Sequence, residues 1–251
     1  SRKIGRGKRE WNPPETGIIM VEKFIELFKG YEGDFGIANL SKSEFDAERS
    51  KLKPDYTWAG QPITAFDYKN HIDGKISIGI QPCRLDKTAQ FGCIDIDPKD
   101  YSKFKVENYL ALFQQYKLPL VPLLSKSGGL HCYLFMNEPI PTADLIDGLK
   151  SFLLPLGLKP KTEVFPKQKE LKEDDRGKIK PGQFINLPYY NNGATNRYAV
   201  DKNNSKLSLE QFIEYANQSK IDRKTLDKLV EETHRNILLG TNPEFEDGPP
   251  C

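Results

Sequence analysis

Two stretches decide how this chain reads: Phe91-Gly92-Cys93-Ile94-Asp95-Ile96-Asp97, and Ser125-Lys126-Ser127-Gly128-Gly129-Leu130-His131-Cys132-Tyr133-Leu134-Phe135. The first alternates as a strand and stops at Pro98, whose missing N–H ends pairing. The second opens on a Ser/Gly turn and runs on as a strand from Leu130 to Met136. An apolar run, Leu118–Leu124, lies just before that turn, so these two strands form a hairpin. Val106, Leu110 and Phe113 mark a helix between the first strand and the hairpin. After the hairpin, Thr142 is placed to cap a helix carrying Ile146, Leu149 and Leu153, and Thr162–Phe165 is a short strand. The order is a split β-α-β-β-α-β unit, with strands expected in the order 4-1-3-2, all antiparallel. The fold class expected is therefore mixed α/β (α+β).

Outside this unit the signals are sparser. Val21, Phe24, Ile25 and Phe28 have helical spacing, and Gly30 ends that helix. Residues 31–74 read as irregular, and Ile76, Ile78 and Ile80 then alternate as a half-buried strand. Lys167–Lys180 holds six basic and four acidic residues and reads as a solvated loop. Gln183–Pro188 resumes as a strand. Ser208 and Gln211 have capping-box spacing ahead of Phe212 and Ile213, and a last helix carries Leu226, Leu229, Val230 and Ile237. The tail Asn242–Cys251 is linker-like. Residues 1–20 form a basic arm or leader, with five basic residues among the first nine.

Composition excludes several classes. Apolar residues make up 37% of the 251, enough for a core and too many for a disordered chain. Lys+Arg 37 against Asp+Glu 35 leaves a net charge of only +2, so a nucleic-acid surface must come from local clustering. No apolar run approaches a membrane span. Cys83, Cys93, Cys132 and Cys251 form no C-x-x-C pair and read as free thiols, which implies a reducing, cytoplasmic setting.

Chemistry concentrates on the split unit. Asp95 and Asp97, two residues apart on a strand, share a face about 6.6 Å apart. Paired carboxylates repel unless a cation compensates them, and hard Mg²⁺ or Mn²⁺ suits oxygen ligands. A lone D-x-D also occurs without metal, and a lone strand histidine such as His131 is more often structural. The topology joins them, because the strands carrying Asp95 and His131 are central neighbours. Asp95, Asp97 and His131 then share one open face, with Tyr133 and Phe135 following on it by period two. Glu163, on the strand flanking the first, completes a three-carboxylate set. The turn Ser125–Gly129, with Ser125, Ser127 and Gly128, offers backbone N–H groups and hydroxyls to phosphate. Together these residues fit two-metal nucleotidyl transfer.

F-G-C-I-D-I-D, then S-K-S-G-G-L-H-C-Y-L-F, E-V-F-P-K-Q and Q-F-I-N-L-P-Y-Y resemble the ordered motifs of the archaeo-eukaryotic primase superfamily. The likeness is to its primase-polymerase branch in phages, mobile elements and TOTE-type conflict systems. F-K-G-Y-E-G-D-F-G and I-S-I-G-I-Q-P-C extend it over about residues 21–217. It differs in placing Glu163 where relatives often have Asp, and in lacking an early cysteine cluster. The resemblance implies a two-module core with an RNA-recognition-motif-like sheet, catalytic over 21–217, followed by a helical extension over 218–251. It implies extension of DNA or RNA from nucleoside triphosphates on a primer and template, with primer synthesis as a further capability of the family. Asp95, Asp97 and Glu163 would hold two Mg²⁺ or Mn²⁺ ions, and Ser127 and His131 the triphosphate. Asn186 lies on the strand where relatives place nucleotide-contacting residues, and Arg197, beyond it, is a weaker phosphate candidate. The closing D-G-P-P-C resembles a junction before a helicase or primase C-terminal domain, implying a fused or associated partner of that kind. Two other classes share features with this reading. A metal-dependent nuclease or D-x-D glycosyltransferase has the paired aspartates, and a non-catalytic nucleic-acid-binding module has the sheet.

Overall fold

A computed structural model describes residues 15–39, 55–125 and 127–239. The basic arm Arg2–Arg9, Lys126 and the tail Asn242–Cys251 lie outside the described residues. In chain order the elements are α1 (Glu15–Leu27), β1 (Gly36–Asn39), β2 (Asp55–Trp58), α2 (Ala65–Ile72) and β3 (Ser77–Ile80). Then come β4 (Thr88–Ile96), α3 (Val106–Gln115), β5 (Val121–Leu124), β6 (Leu130–Pro141), α4 (Thr142–Ser151) and β7 (Glu163–Phe165). The chain continues through β8 (Lys172–Glu173), β9 (Ile179–Lys180), β10 (Ile185–Asn186), α5 (Leu209–Gln218) and α6 (Arg223–Leu238).

The split unit forms as expected. Its sheet has the order β5-β6-β4-β7, with every pair antiparallel. Counted within the unit, that is 4-1-3-2 read from the other edge. Register then fixes the chemistry. Asp95 pairs with His131 on one side and Glu163 on the other, and His131 pairs with Leu123. Leu123, His131, Asp95 and Glu163 therefore make one cross-strand row. Val121, Tyr133, Cys93 and Phe165 make the row two residues deeper on the same face.

Alternation sends the other residues of β4 and β6 to the opposite face. Ile94, Ile96, Leu130, Cys132 and Leu134 pack there with Leu110 and Phe113 of α3 and Leu145 and Leu149 of α4. The Asp95 face is closed over most of its length, which corrects the expectation of an open one. Phe91, Cys93, Tyr133 and Phe135 are buried beneath Phe24, Leu27, Phe28 and Phe212. Apolar area dictates this, because three large aromatic side chains in one patch are costly to leave in water. Phe28 is the centre of the seam, edge-on to Phe91 (5.3 Å), Tyr133 (5.5 Å) and Phe135 (5.6 Å). Truncating it to Ala would cost about 3–5 kcal/mol. Only the row at the sheet's end, from His131 to Glu163, escapes the cover.

A second four-stranded antiparallel sheet has the order β10-β3-β1-β2. Residues 31–74 are thus less irregular than expected, since β1, β2 and α2 lie within them. Thr64 and Asp67 start α2 with a reciprocal capping box. Thr142 is the first residue of α4 rather than its cap; its buried hydroxyl donates to Cys83 Sγ at 3.4 Å. Gln183–Pro188 is paired as a strand only over Ile185–Asn186, and the Lys167–Lys180 stretch folds part of itself into the β8–β9 hairpin. Ser208 and Gln211 do form the expected capping box of α5.

Candidate active site

β4 delivers Asp95 as its second-last residue, and the chain then turns at Pro98. Asp97 stands just beyond the strand and caps the 3-10 turn Pro98–Asp100, accepting from the Lys99 N–H at 3.1 Å. The Lys99 ammonium also bonds the Asp97 carboxylate, at 2.5 Å. Burial pushes the Asp97 carboxyl up, but the bonds and charge of Lys99 outweigh it and hold the group below its usual value. Glu163 is matched in the same way by Lys167, at 2.8 Å. Asp95 faces His131, with Nε2 to Oδ1 at 3.4 Å. Each carboxylate therefore has one cationic or proton-bearing neighbour, which relieves the like-charge repulsion of the row.

The three acids line one cleft of about 270 Å³, together with Lys99, Asp100, Tyr101, Lys159, Lys161 and Thr162. Tyr101 braces its wall through a 2.6 Å bond between its hydroxyl and that of Thr162. Among the described residues, no three His, Cys, Asp or Glu side chains are gathered closely enough to enclose an ion. Asp95 divides the site, with the acidic cleft on its β7 side and His131 with the serine turn on its β6 side.

That turn is packed against the D-x-D loop. A Cβ on Gly129 would stand 2.3 Å from the Ile96 carbonyl oxygen and 2.8 Å from Pro98 Cδ, so only glycine lets the two loops touch. Ser125 ties the turn internally: its backbone oxygen accepts from Gly128 N–H and its Oγ from Gly129 N–H. These amides are engaged, so the turn presents its hydroxyls rather than a full set of N–H groups. Ser127 and Gly128 are exposed at its tip.

The other expected residues sit further back. Tyr133 reaches from the buried row to donate to the Asn186 carbonyl at 3.4 Å. The Tyr133 phenol is pushed well above its usual pKa by burial, with the charge of Asp95 adding, so it stays a donor. The Asn186 Oδ1 is buried without a hydrogen-bond partner among the described residues. Arg197 is only 9% exposed and donates to Ser77 Oγ at 3.2 Å, away from the cleft. Sequence reasoning did not find Lys99, Tyr101, Lys159 and Lys161. The one signal for the last two was the alternation of Lys159, Lys161 and Glu163 ahead of β7.

The split unit and the second four-stranded sheet make two modules, with the acidic cleft at the end of the first. The chain belongs to the archaeo-eukaryotic primase domain family of TOTE conflict systems, whose model matches residues 21–229. Among solved structures, the AEP domain (PP-N190) of the cyanophage S-2L primase-polymerase is similar at 9% identity and a TM-score of 0.39. That match covers 79% of this chain and 97% of the phage one. No curated protein matches. No helix among the described residues is long and apolar enough to cross a membrane.

Proposed function

We propose that the protein is a template-dependent nucleotidyltransferase, a DNA primase or polymerase that adds nucleotides from nucleoside triphosphates to a strand paired with DNA. The cross-strand row carries this reading: Asp95 lies between His131 and Glu163, with Asp97 lining the same cleft. The chemistry of the donors suits divalent metal, because carboxylates are hard oxygen ligands, although the three are not gathered around one point among the described residues. Asp95, Asp97 and Glu163 would hold two Mg²⁺ or Mn²⁺ ions. When bound, such ions stabilise charge on the attacking and leaving oxygens of phosphoryl transfer.

The chain's own groups do the rest. Lys99 keeps Asp97 ionised, and Lys167 pairs with Glu163 at the edge of the cleft. The Ser127 hydroxyl at the exposed turn tip and the His131 ring beside Asp95 are donors for a triphosphate. Lys159 and Lys161 line the cleft with positive charge that draws in a polyanionic substrate. A fused or associated helicase or primase C-terminal domain is the partner that this reading implies.

The test is a labelled primer annealed to a longer template, incubated with Mn²⁺ and deoxynucleoside triphosphates. The expected result is a longer primer. A shortened primer would establish a nuclease, and a bound but unchanged primer a non-catalytic module; either overturns the proposal.

A further inference from the structure

We propose that the aromatic face of the second sheet is a stacking platform for an unpaired base of the template strand. Pairing sets Trp58, Gly36, Gly79 and Asn186 in one row across β2, β1, β3 and β10. The two middle positions carry no side chain, and the Phe184 ring lies over them. A Cβ on Gly36 would stand 2.3 Å from that ring, and one on Gly79 2.2 Å. Trp58 meets Phe184 edge-on with 5.0 Å between centroids, and Tyr56 does so at 5.8 Å. Tyr56 remains 49% exposed. The core does not need these rings, since Ile78, Ile80 and Ile185 close it from the sheet's other face.

The position of the platform points to its occupant. Asn186, at the end of the row, accepts from Tyr133, which is two residues from His131 on the Asp95 face. The Asn186 Oδ1 at the end of the row is buried without a partner among the described residues, an orphaned acceptor beside the platform. The choice of the template strand rests on the transferase reading above. A template presents its bases unpaired and in any order, and aromatic stacking is sequence-tolerant because every base has a π-face.

The experiment uses single-stranded oligonucleotides of one length, with or without a central abasic run, so that phosphate charge is constant. Binding is measured without metal or nucleotide by anisotropy and by Trp58 fluorescence in a Trp11→Phe background. The expected result is quenching of Trp58 and about tenfold tighter binding of the intact strand. Tyr56→Ala, at a half-exposed side chain that the fold can spare, and Trp58→Leu should each bring that ratio toward one. Equal binding of the two strands by the parent protein, or an undiminished ratio in both variants, overturns the platform. Quenching by a nucleoside triphosphate but not by the oligonucleotide gives the rings to the incoming base and overturns the template assignment. No turnover is read, so base discrimination without primer extension would count against the transferase reading alone. Extension without discrimination would count against the platform alone.

Discussion

His71 gives the sharpest quantitative test of how the second sheet is held. Its ring is fully buried, accepting from Ile78 N–H at Nδ1 (3.1 Å) and donating from Nε2 to the Pro188 carbonyl (2.8 Å). Burial pushes its pKa down to about 4, outweighing the Pro188 bond, which favours the charged form; Arg197 adds to the lowering. In the unfolded chain the same ring titrates near 6.5. Between those values the unfolded state takes up a proton that the folded state refuses, so stability falls as pH falls. The full contribution is present above about pH 6.5 and is lost on the way down through pH 4. By pH 5 the loss from this residue is about 2 kcal/mol. His71→Asn keeps an acceptor near the Nδ1 position and cannot be protonated. It should be less stable than the parent at pH 7.5, and that deficit should shrink by about 2 kcal/mol at pH 5. Urea unfolding followed by circular dichroism at the two pH values measures this directly. A deficit that is the same at both would refute the buried neutral histidine.

Replacing both Asp95 and Asp97 with Ala should abolish primer extension while the circular dichroism spectrum is retained, at a cost of about 1 kcal/mol for the lost cap on the Pro98 turn; extension above background would count against the carboxylate row. His131→Ala should raise KM for nucleoside triphosphate about tenfold in primer extension and leave DNA affinity unchanged, and a proportional loss of DNA binding would sink the assignment. Gly129→Val should lower stability by about 2 kcal/mol and reduce extension, because its Cβ has no room beside Ile96. Unchanged thermal unfolding and full activity would show that the two loops need not touch.

The split unit was legible because its two central strands, β4 and β6, are long and alternate cleanly, and helices with marked periodicity follow each of them. Register followed from the same alternation, and so the meeting of Asp95 with His131 and Glu163 could be anticipated. The second sheet was hidden by its brevity. β1 and β2 are four residues each, and glycine opens the first of them. Thr64-Ala65-Phe66-Asp67 did carry a start signal for α2, as the capping box now shows. The closed face was missed for a different reason. Tyr133 and Phe135 look alike whether they stack a ligand or fill a core, and only the arrival of Phe28 and Phe212 decides between the two. Lysine partners such as Lys99 and Lys167 were equally unreadable, because the pairing of a surface charge depends on which loop it meets.

The return of β10 to the second sheet has a consequence for how the chain is made. β3 emerges from the ribosome about a hundred residues before the strand that covers its edge. Until then that edge carries unpaired backbone groups, and Phe24 and Phe28 wait for β4, β6 and α5 to give them a seat. The early segment therefore cannot mature as a foldon of its own, and the two modules should gain and lose structure in one cooperative step. A nascent chain arrested after residue 180 would leave both the strand edge and the aromatic seam open, a species for chaperones to hold.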